Sequence, residues 1–264
     1  MEDLLFLHYD GQCPWHLWMK EQVEEAAREL GYSVEIVDLT LDPEVAERYR
    51  VFFPFLTIIR GEIRTPGPVP ARELVRMARE GLEASKTVPK PLKPQGRAQT
   101  ISPLTAENVC DTCRLCNYDT AEACVAKRKW AGRVNEVTRD EVVGFISYEG
   151  EEPVAAVEFV PSTLVPYPLP EKQPTTAFIT CVYSREGDAL DYRGQVLEHL
   201  ISLLPTMGYE EVQVMSGRRT PYPNGPVPLF ALHGFEEVAE VGDAILSLGK
   251  EEIVLMERDL TTSI

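Results

Sequence analysis

The sequence predicts an α/β protein of two domains, and three observations carry that reading. Apolar runs of strand length alternate along the chain with segments of helical periodicity. The 264 residues are enough for two ordinary domains. Composition also breaks sharply between Thr87 and Pro103, where Pro89, Pro91, Pro94 and Pro103 stand with Lys90, Lys93 and Arg97 and no acid. Prolines at that density oppose helix and ladder pairing and favour an extended spacer. The expected boundaries are a first domain over 1–88, a tether over 89–103 and a second domain over 104–264.

In the first part, Leu4 to His8 reads as a strand. Leu17, Met19, Val23, Ala26, Ala27 and Leu30 then recur at helical spacing, and Gly31 supplies the stop. Val34 to Leu39 is a β-branched strand, Asp42-Pro43 starts a short helix, and Phe53 to Ile59 is a strand leading to a turn at Gly61. Leu74, Val75, Ala78 and Leu82 mark a closing helix. In the second part, Thr120 caps a helix running from Ala121 to about Asn135. Strands follow over Val142 to Tyr148, Val154 to Val160 and Ala177 to Tyr183. A helix is then buried through Val196, Leu197, Leu200, Ile201 and Leu204, with Gly208 ending it. Glu211 to Val214, a short helix after Pro226, Phe235 to Val241 and Ile253 to Glu257 finish a sheet.

Composition excludes several function classes. Apolar residues make up 44% and charged residues 26%, the balance of a chain able to bury cores, and the net charge is −16. That surplus of acid opposes docking on nucleic acid or on an anionic membrane. The longest apolar run, Val51 to Ile59, is interrupted by Pro54 and is far short of the roughly 20 residues of a membrane-spanning helix. Met1-Glu2-Asp3 lacks the basic start of a secretory signal. The expectation is a cytoplasmic protein whose six cysteines are thiols or metal ligands rather than a disulfide frame.

Cys13 lies between the first strand and the first helix, where helix-start amides favour a thiolate, and His16 one turn along would lower its pKa further. The order βαβαββα and the stretch Tyr9-Asp10-Gly11-Gln12-Cys13-Pro14 resemble the thioredoxin and glutaredoxin superfamily over about residues 1–85. Pro54 falls where that family carries its cis-proline. His16 replaces the resolving cysteine, which leaves either monothiol chemistry at Cys13 or a docking module in which Cys13 is a leftover small residue.

Over the last 150 residues or so, Thr180-Cys181-Val182-Tyr183, Asp191-Tyr192-Arg193-Gly194 and the run from Asn224-Gly225-Pro226 through Phe230 to Gly234-Phe235 resemble the GNAT acetyltransferase superfamily. Cys110 and its neighbours, with Lys127-Arg128-Lys129-Trp130, are similar to a cysteine-bearing bacterial branch of it. That resemblance implies a mixed sheet with helices on both faces. It also implies acetyl-CoA as cofactor and acyl transfer to an amine of a small molecule or protein. The pantetheine arm would lie along Cys181, Val182 and Tyr183, and the pyrophosphate on the amides of Arg193, Gly194 and Gln195, with Asn224 and Phe230 nearby. Two departures stand out. Gln195-Val196-Leu197-Glu198 lacks the family's glycines and adds a carboxylate, and Phe230 stands where the family commonly has an acidic tyrosine, leaving Tyr183 or a water as proton donor. Glu158 shares a strand face with Val154, Ala156 and Val160, an apolar setting that raises a carboxylate pKa toward that of a useful base.

Cys110, Cys113 and Cys116 at two-residue gaps, with Cys124 beyond, have spacings compatible with tetrahedral zinc or with four reduced thiols. Two rivals to acyl transfer therefore stay open. One is a non-catalytic binding or sensing module with eroded sites, and the other is a thiol- or metal-handling protein that uses Cys13 and the cysteine cluster.

Overall fold

A computed structural model describes residues 2–9, 11–81, 92–185, 187–220, 222–246 and 249–261. Its elements in the first part are β1 (Leu4–His8), α1 (Trp15–Leu30), β2 (Val34–Asp38), α2 (Pro43–Arg48), β3 (Phe55–Ile59), β4 (Ile63–Thr65) and α3 (Ala71–Glu80). The four strands form one sheet in the order β2-β1-β3-β4, with β1 parallel to β2 and antiparallel to β3. Alternation in β1 divides its side chains between two cores. Leu4 and Phe6 join Met19 and Val23 of α1 and Leu74 of α3, whereas Leu5 and Leu7 face the other way. Gly31 closes α1 at φ 68°, a left-handed cap that glycine adopts without strain. The predicted element order holds here, but Pro54 follows a trans bond, because the cis peptide among the described residues is Tyr222–Pro223.

The second part holds β5 (Thr100–Leu104), α4 (Asp111–Leu115), α5 (Ala121–Thr138), β6 (Gly144–Glu149), β7 (Glu152–Pro161) and β8 (Thr176–Ser184). After these come α6 (Arg193–Leu203), β9 (Glu211–Gly217), α7 (Val227–Ala231), β10 (Glu236–Leu246) and β11 (Gly249–Asp259). The sheet order is β10-β11-β9-β8-β7-β6-β5, antiparallel throughout except for the pair β8–β9. The Thr120 hydroxyl accepts from the Ala123 N–H, the predicted cap of α5. One sheet face buries Ala155, Val157, Ile179 and Val182 against Val196, Leu197 and Leu200 of α6. The opposite face carries Ala156, Val160 and Phe178.

That opposite face is shared with the first part. Leu5, Leu7, Tyr9, Leu39 and Phe52 pack in one continuous core with Leu104, Leu115, Trp130, Ile146 and Phe178. Gly11, at φ 82°, presses against α5 so closely that a Cβ there would meet the Ala126 carbonyl. Tyr222 donates from its hydroxyl to the Pro66 carbonyl at 2.5 Å. The parts do not pack independently, because each leaves one sheet face for the other to cover. The predicted tether also ends early: Thr100–Leu104 pairs with β6 as the edge strand of the large sheet, while positions 89–91 lie outside the described residues. Among the described residues no helix is long and apolar enough to cross a membrane.

The shared core predicts one cooperative unfolding transition for the whole chain. A fragment ending at Gly81 leaves Leu5, Leu7 and Phe52 uncovered and is expected to bind hydrophobic dye and melt without a cooperative transition. Two resolved transitions in calorimetry of the full chain would refute this.

Candidate active site

The strands β8 and β9 pair only from Thr176 to Ile179 with Glu211 to Val214. Beyond that point they separate, and β8 continues on β7 alone as far as Ser184. The cause is a bulge. Glu158 of β7 pairs with Cys181 and Phe159 with Ile179, which leaves Thr180 as the extra residue. Ile179 and Val182 point into the α6 core, while Thr180, Cys181 and Tyr183 all line a cavity on the other side of the sheet. This cavity of about 450 Å³ fills the gap between the strands. The first part roofs it with Cys13, Pro14, Trp15, Pro54 and Pro66, and its walls are mostly aromatic, proline and aliphatic.

Glu158 projects into this cavity from β7, on the face predicted for it. Its Oε2 accepts from Lys127 Nζ at 2.6 Å, and both side chains are only 3% exposed. Lys127 also donates to the Gln12 carbonyl at 2.5 Å and lies 4.3 Å above the Trp130 ring centre. Gln12 in turn donates from its side chain to the Tyr167 hydroxyl at 2.9 Å. Burial raises the Glu158 pKa, and the lysine works against that rise. For Lys127 burial is the largest single effect and favours the neutral amine, but the charge and hydrogen bond of Glu158, together with the nearby cysteines, raise its pKa overall and keep the ammonium charged. Lys127 was not among the expected site residues. A signal for it was present: it falls on the buried face of α5 with Ala123, Trp130, Ala131 and Val134, where a lone lysine needs a partner.

The cysteines depart from expectation. Cys110 and Cys124 form a disulfide with Cα atoms 4.9 Å apart, so these two are neither free thiols nor zinc ligands. Cys113 is buried, Cys116 reaches the cavity, and among the described residues no cluster of His, Cys, Asp or Glu is arranged to hold a metal. Cys13, Cys116 and Cys181 line the cavity together. Burial pushes the Cys13 thiol up to about 11, against the pull of Lys127 and the Trp15 amide. It also raises Cys113 to about 11 and moves Cys116 and Cys181 well upward. The predicted thiolate at Cys13 is therefore reversed, because loss of hydration outweighs the helix start. His16 does not offset this: its Nδ1 lies 2.9 Å from the Cys13 carbonyl oxygen, not at the sulfur, and its ring stacks on His8 at 4.9 Å.

The other predicted residues divide. Tyr183 lines the cavity. Asn224 lines it too, but its side chain is spent donating to the Met215 carbonyl at 3.1 Å. Val182 and Phe230 are buried in the α6 core, with Phe230 against Phe235 at 5.5 Å, so neither side chain reaches the site.

Superposition on solved structures brings out N-acetyltransferases. A Salmonella typhimurium protein described as an acetyltransferase, with its cofactor acetyl-CoA, matches at 13% identity over 63% of this chain and 96% of its own, with a TM-score of 0.49. The ribosomal-protein-S18-alanine N-acetyltransferase of Escherichia coli matches at 14% identity over 62% of this chain and 96% of its own, with a TM-score of 0.43. An N-acetyltransferase of Staphylococcus aureus Mu50 matches at 15% identity over 63% of this chain and 100% of its own, with a TM-score of 0.45. No protein-family model matches the sequence, and no curated protein matches it.

Acetyl-CoA, the cofactor that the sequence resemblance implies, does not fit the start of α6 as it stands. The Asp191 carboxylate, 2% exposed, accepts the Arg193 N–H at 3.1 Å and the Arg193 guanidinium at 2.9 and 2.7 Å. The end of the tether lies across the same turn: Asp191 N–H donates to the Pro94 carbonyl and Gly96 N–H to the Asp191 carbonyl, each at 2.9 Å. Gln195 accepts from the Ala98 N–H at 2.6 Å, and the Gln95 side chain packs against Gly194. Glu198, the carboxylate added in that stretch, turns outward 3.8 Å from His233 Nδ1.

Replacing Lys127 by Met leaves a buried carboxylate unpaired and is expected to destabilise the fold by about 3–5 kcal/mol. The double variant Lys127→Met, Glu158→Leu should recover most of that loss in chemical denaturation. An additive double variant would disprove the coupling. Cys13 is expected to alkylate more slowly at neutral pH than an exposed cysteine, with a rate still climbing as pH approaches 11. Rapid labelling with a plateau near neutrality would contradict the burial effect.

Proposed function

We propose that the protein transfers an acyl group to an amine of a small molecule or a protein inside the cavity between β8 and β9. The observation that carries this reading is the Thr180 hydroxyl. It is buried and, among the described residues, without a hydrogen-bond partner, and it stands at the bulge in an apolar chamber that also holds a buried carboxylate. An unpartnered buried hydroxyl costs stability unless a ligand completes it. A carbonyl oxygen gaining negative charge is such a ligand.

The remaining residues take roles that follow from their positions. Glu158, its pKa raised by burial, receives one proton from the acceptor ammonium. The freed nitrogen forms a bond to the acyl carbon, while Thr180 donates to the carbonyl oxygen. The bond from that carbon to the departing group then breaks. Tyr183, on the same strand face, gives that group a proton and regains one from the new amide nitrogen. Glu158 returns its proton to solvent. While Glu158 is neutral, the Lys127 charge is held by the Gln12 carbonyl and the Trp130 ring.

The βαβαββα order and the position of Cys13 support reading the first part as a thioredoxin-like module that closes the chamber. Its raised thiol pKa and the missing resolving cysteine weigh against dithiol exchange. The four free thiols are compatible with the cytoplasmic setting predicted from sequence, and the Cys110–Cys124 disulfide weighs against it.

Two substitutions test the assignment with a panel of amines and an acyl donor. Thr180→Val should lower turnover by about 10²–10³ while raising the melting temperature slightly, since it removes an unsatisfied hydroxyl. Glu158→Gln should lower turnover by about 10²–10⁴. Unchanged turnover in Thr180→Val would defeat the role given to that hydroxyl.

A further inference from the structure

We infer that the acyl group reaches this site on a short thioester that carries no nucleotide diphosphate, an inference that rests on the acyl-transfer reading above. The turn between β8 and α6 shows why a diphosphate is excluded. Helix-start amides attract phosphate when they are open and when nearby cations are free. Here the first amide of α6 is already bonded to the buried Asp191 carboxylate, so it is not open to a phosphate.

Two of the nearby cations are also engaged, while Arg97 stands exposed. Arg193 is held by Asp191 in a two-point pair, and Lys93 donates to the Asp188 carbonyl at 2.7 Å. The backbone is covered as well. Residues 94–98 run alongside the turn, with hydrogen bonds at Pro94, Gly96 and Ala98 and with Gln95 set against Gly194. A diphosphate would have to displace this segment and bring its charge against Asp191, in a chain already carrying −16.

The cavity, in contrast, suits the other end of a thioester. Its volume of about 450 Å³ lies in the range that holds a small organic molecule. The β8 edge beyond Ile179 has no β9 partner, so its backbone groups can pair with an amide-bearing arm laid along it as an added strand. Beside that edge the Thr180 hydroxyl awaits a carbonyl, and the apolar walls suit an acyl chain and sulfur.

Titration calorimetry of the full chain with pantetheine, with CoA and with the nucleotide portion of CoA alone tests this at low and high salt. Pantetheine and CoA are expected to bind within about threefold of each other, with little salt dependence, and the nucleotide portion is expected not to bind. CoA binding tenfold tighter or more, or binding of the nucleotide portion, would overturn the inference. So would failure of both thiols to bind. Turnover separates this from the reading beneath it. Acetyl transfer from acetyl-CoA at ten times the rate from acetyl-pantetheine overturns the carrier assignment and upholds acyl transfer. Pantetheine binding with no amine acylated overturns acyl transfer and upholds the carrier preference.

Discussion

A lysine and a glutamate taken wholly out of water organise this molecule. Neither charge is tolerable there alone, because each loses several kcal/mol of hydration on burial. Together, at 2.6 Å, they bind α5 to β7, and the third bond from Lys127 to the Gln12 carbonyl extends the tie to the loop before α1. The first part therefore cannot swing away without leaving the lysine short of an acceptor. The same pair sets the electrostatics of the chamber, since Lys127 is the cation that opposes burial at all the free thiols around it.

The bulge at Thr180 supplies the opening that the ion pair then lines. One extra residue on β8 places Thr180 and Cys181 on the same side, where strict alternation would have sent one of them into the α6 core. The strand then parts from β9, and the chamber lies in the gap. Cover from the first part reduces the water that reaches that gap. Two features follow: the thiols are pushed toward their neutral form, and a single hydroxyl or carboxylate acts more strongly there than it would in water.

The segment joining the two parts does more than connect them. Its prolines keep it out of helices, yet from Pro94 onward it bonds to the turn before α6 and then becomes β5. The face of the large sheet that meets the first part and the turn that meets the tether are thus both closed by sequence lying N-terminal to β6. A surface that an isolated second part would expose is, in the whole chain, interior.

Sequence alone determined most of the elements, β5 and α4 excepted, because strand and helix periodicities are local and the stops at Gly31 and Gly208 are written in single residues. It also placed Glu158 on one strand face with Val154, Ala156 and Val160, and showed that the first turn of α6, Gln195 to Glu198, lacks the glycines of an open phosphate loop. Tertiary structure decided the rest. Lys127 was visible as an oddity on a buried helix face, but its partners lie on β7 and before α1, and no local pattern names them. The spacing of Cys110, Cys113, Cys116 and Cys124 suggested a metal, whereas packing gives a disulfide, a buried thiol and a thiol facing the chamber. Cys13 at a helix start reads as a thiolate until the second part covers it. A pKa depends on which surfaces exclude water, and exclusion is a property of the assembled chain, not of any segment within it.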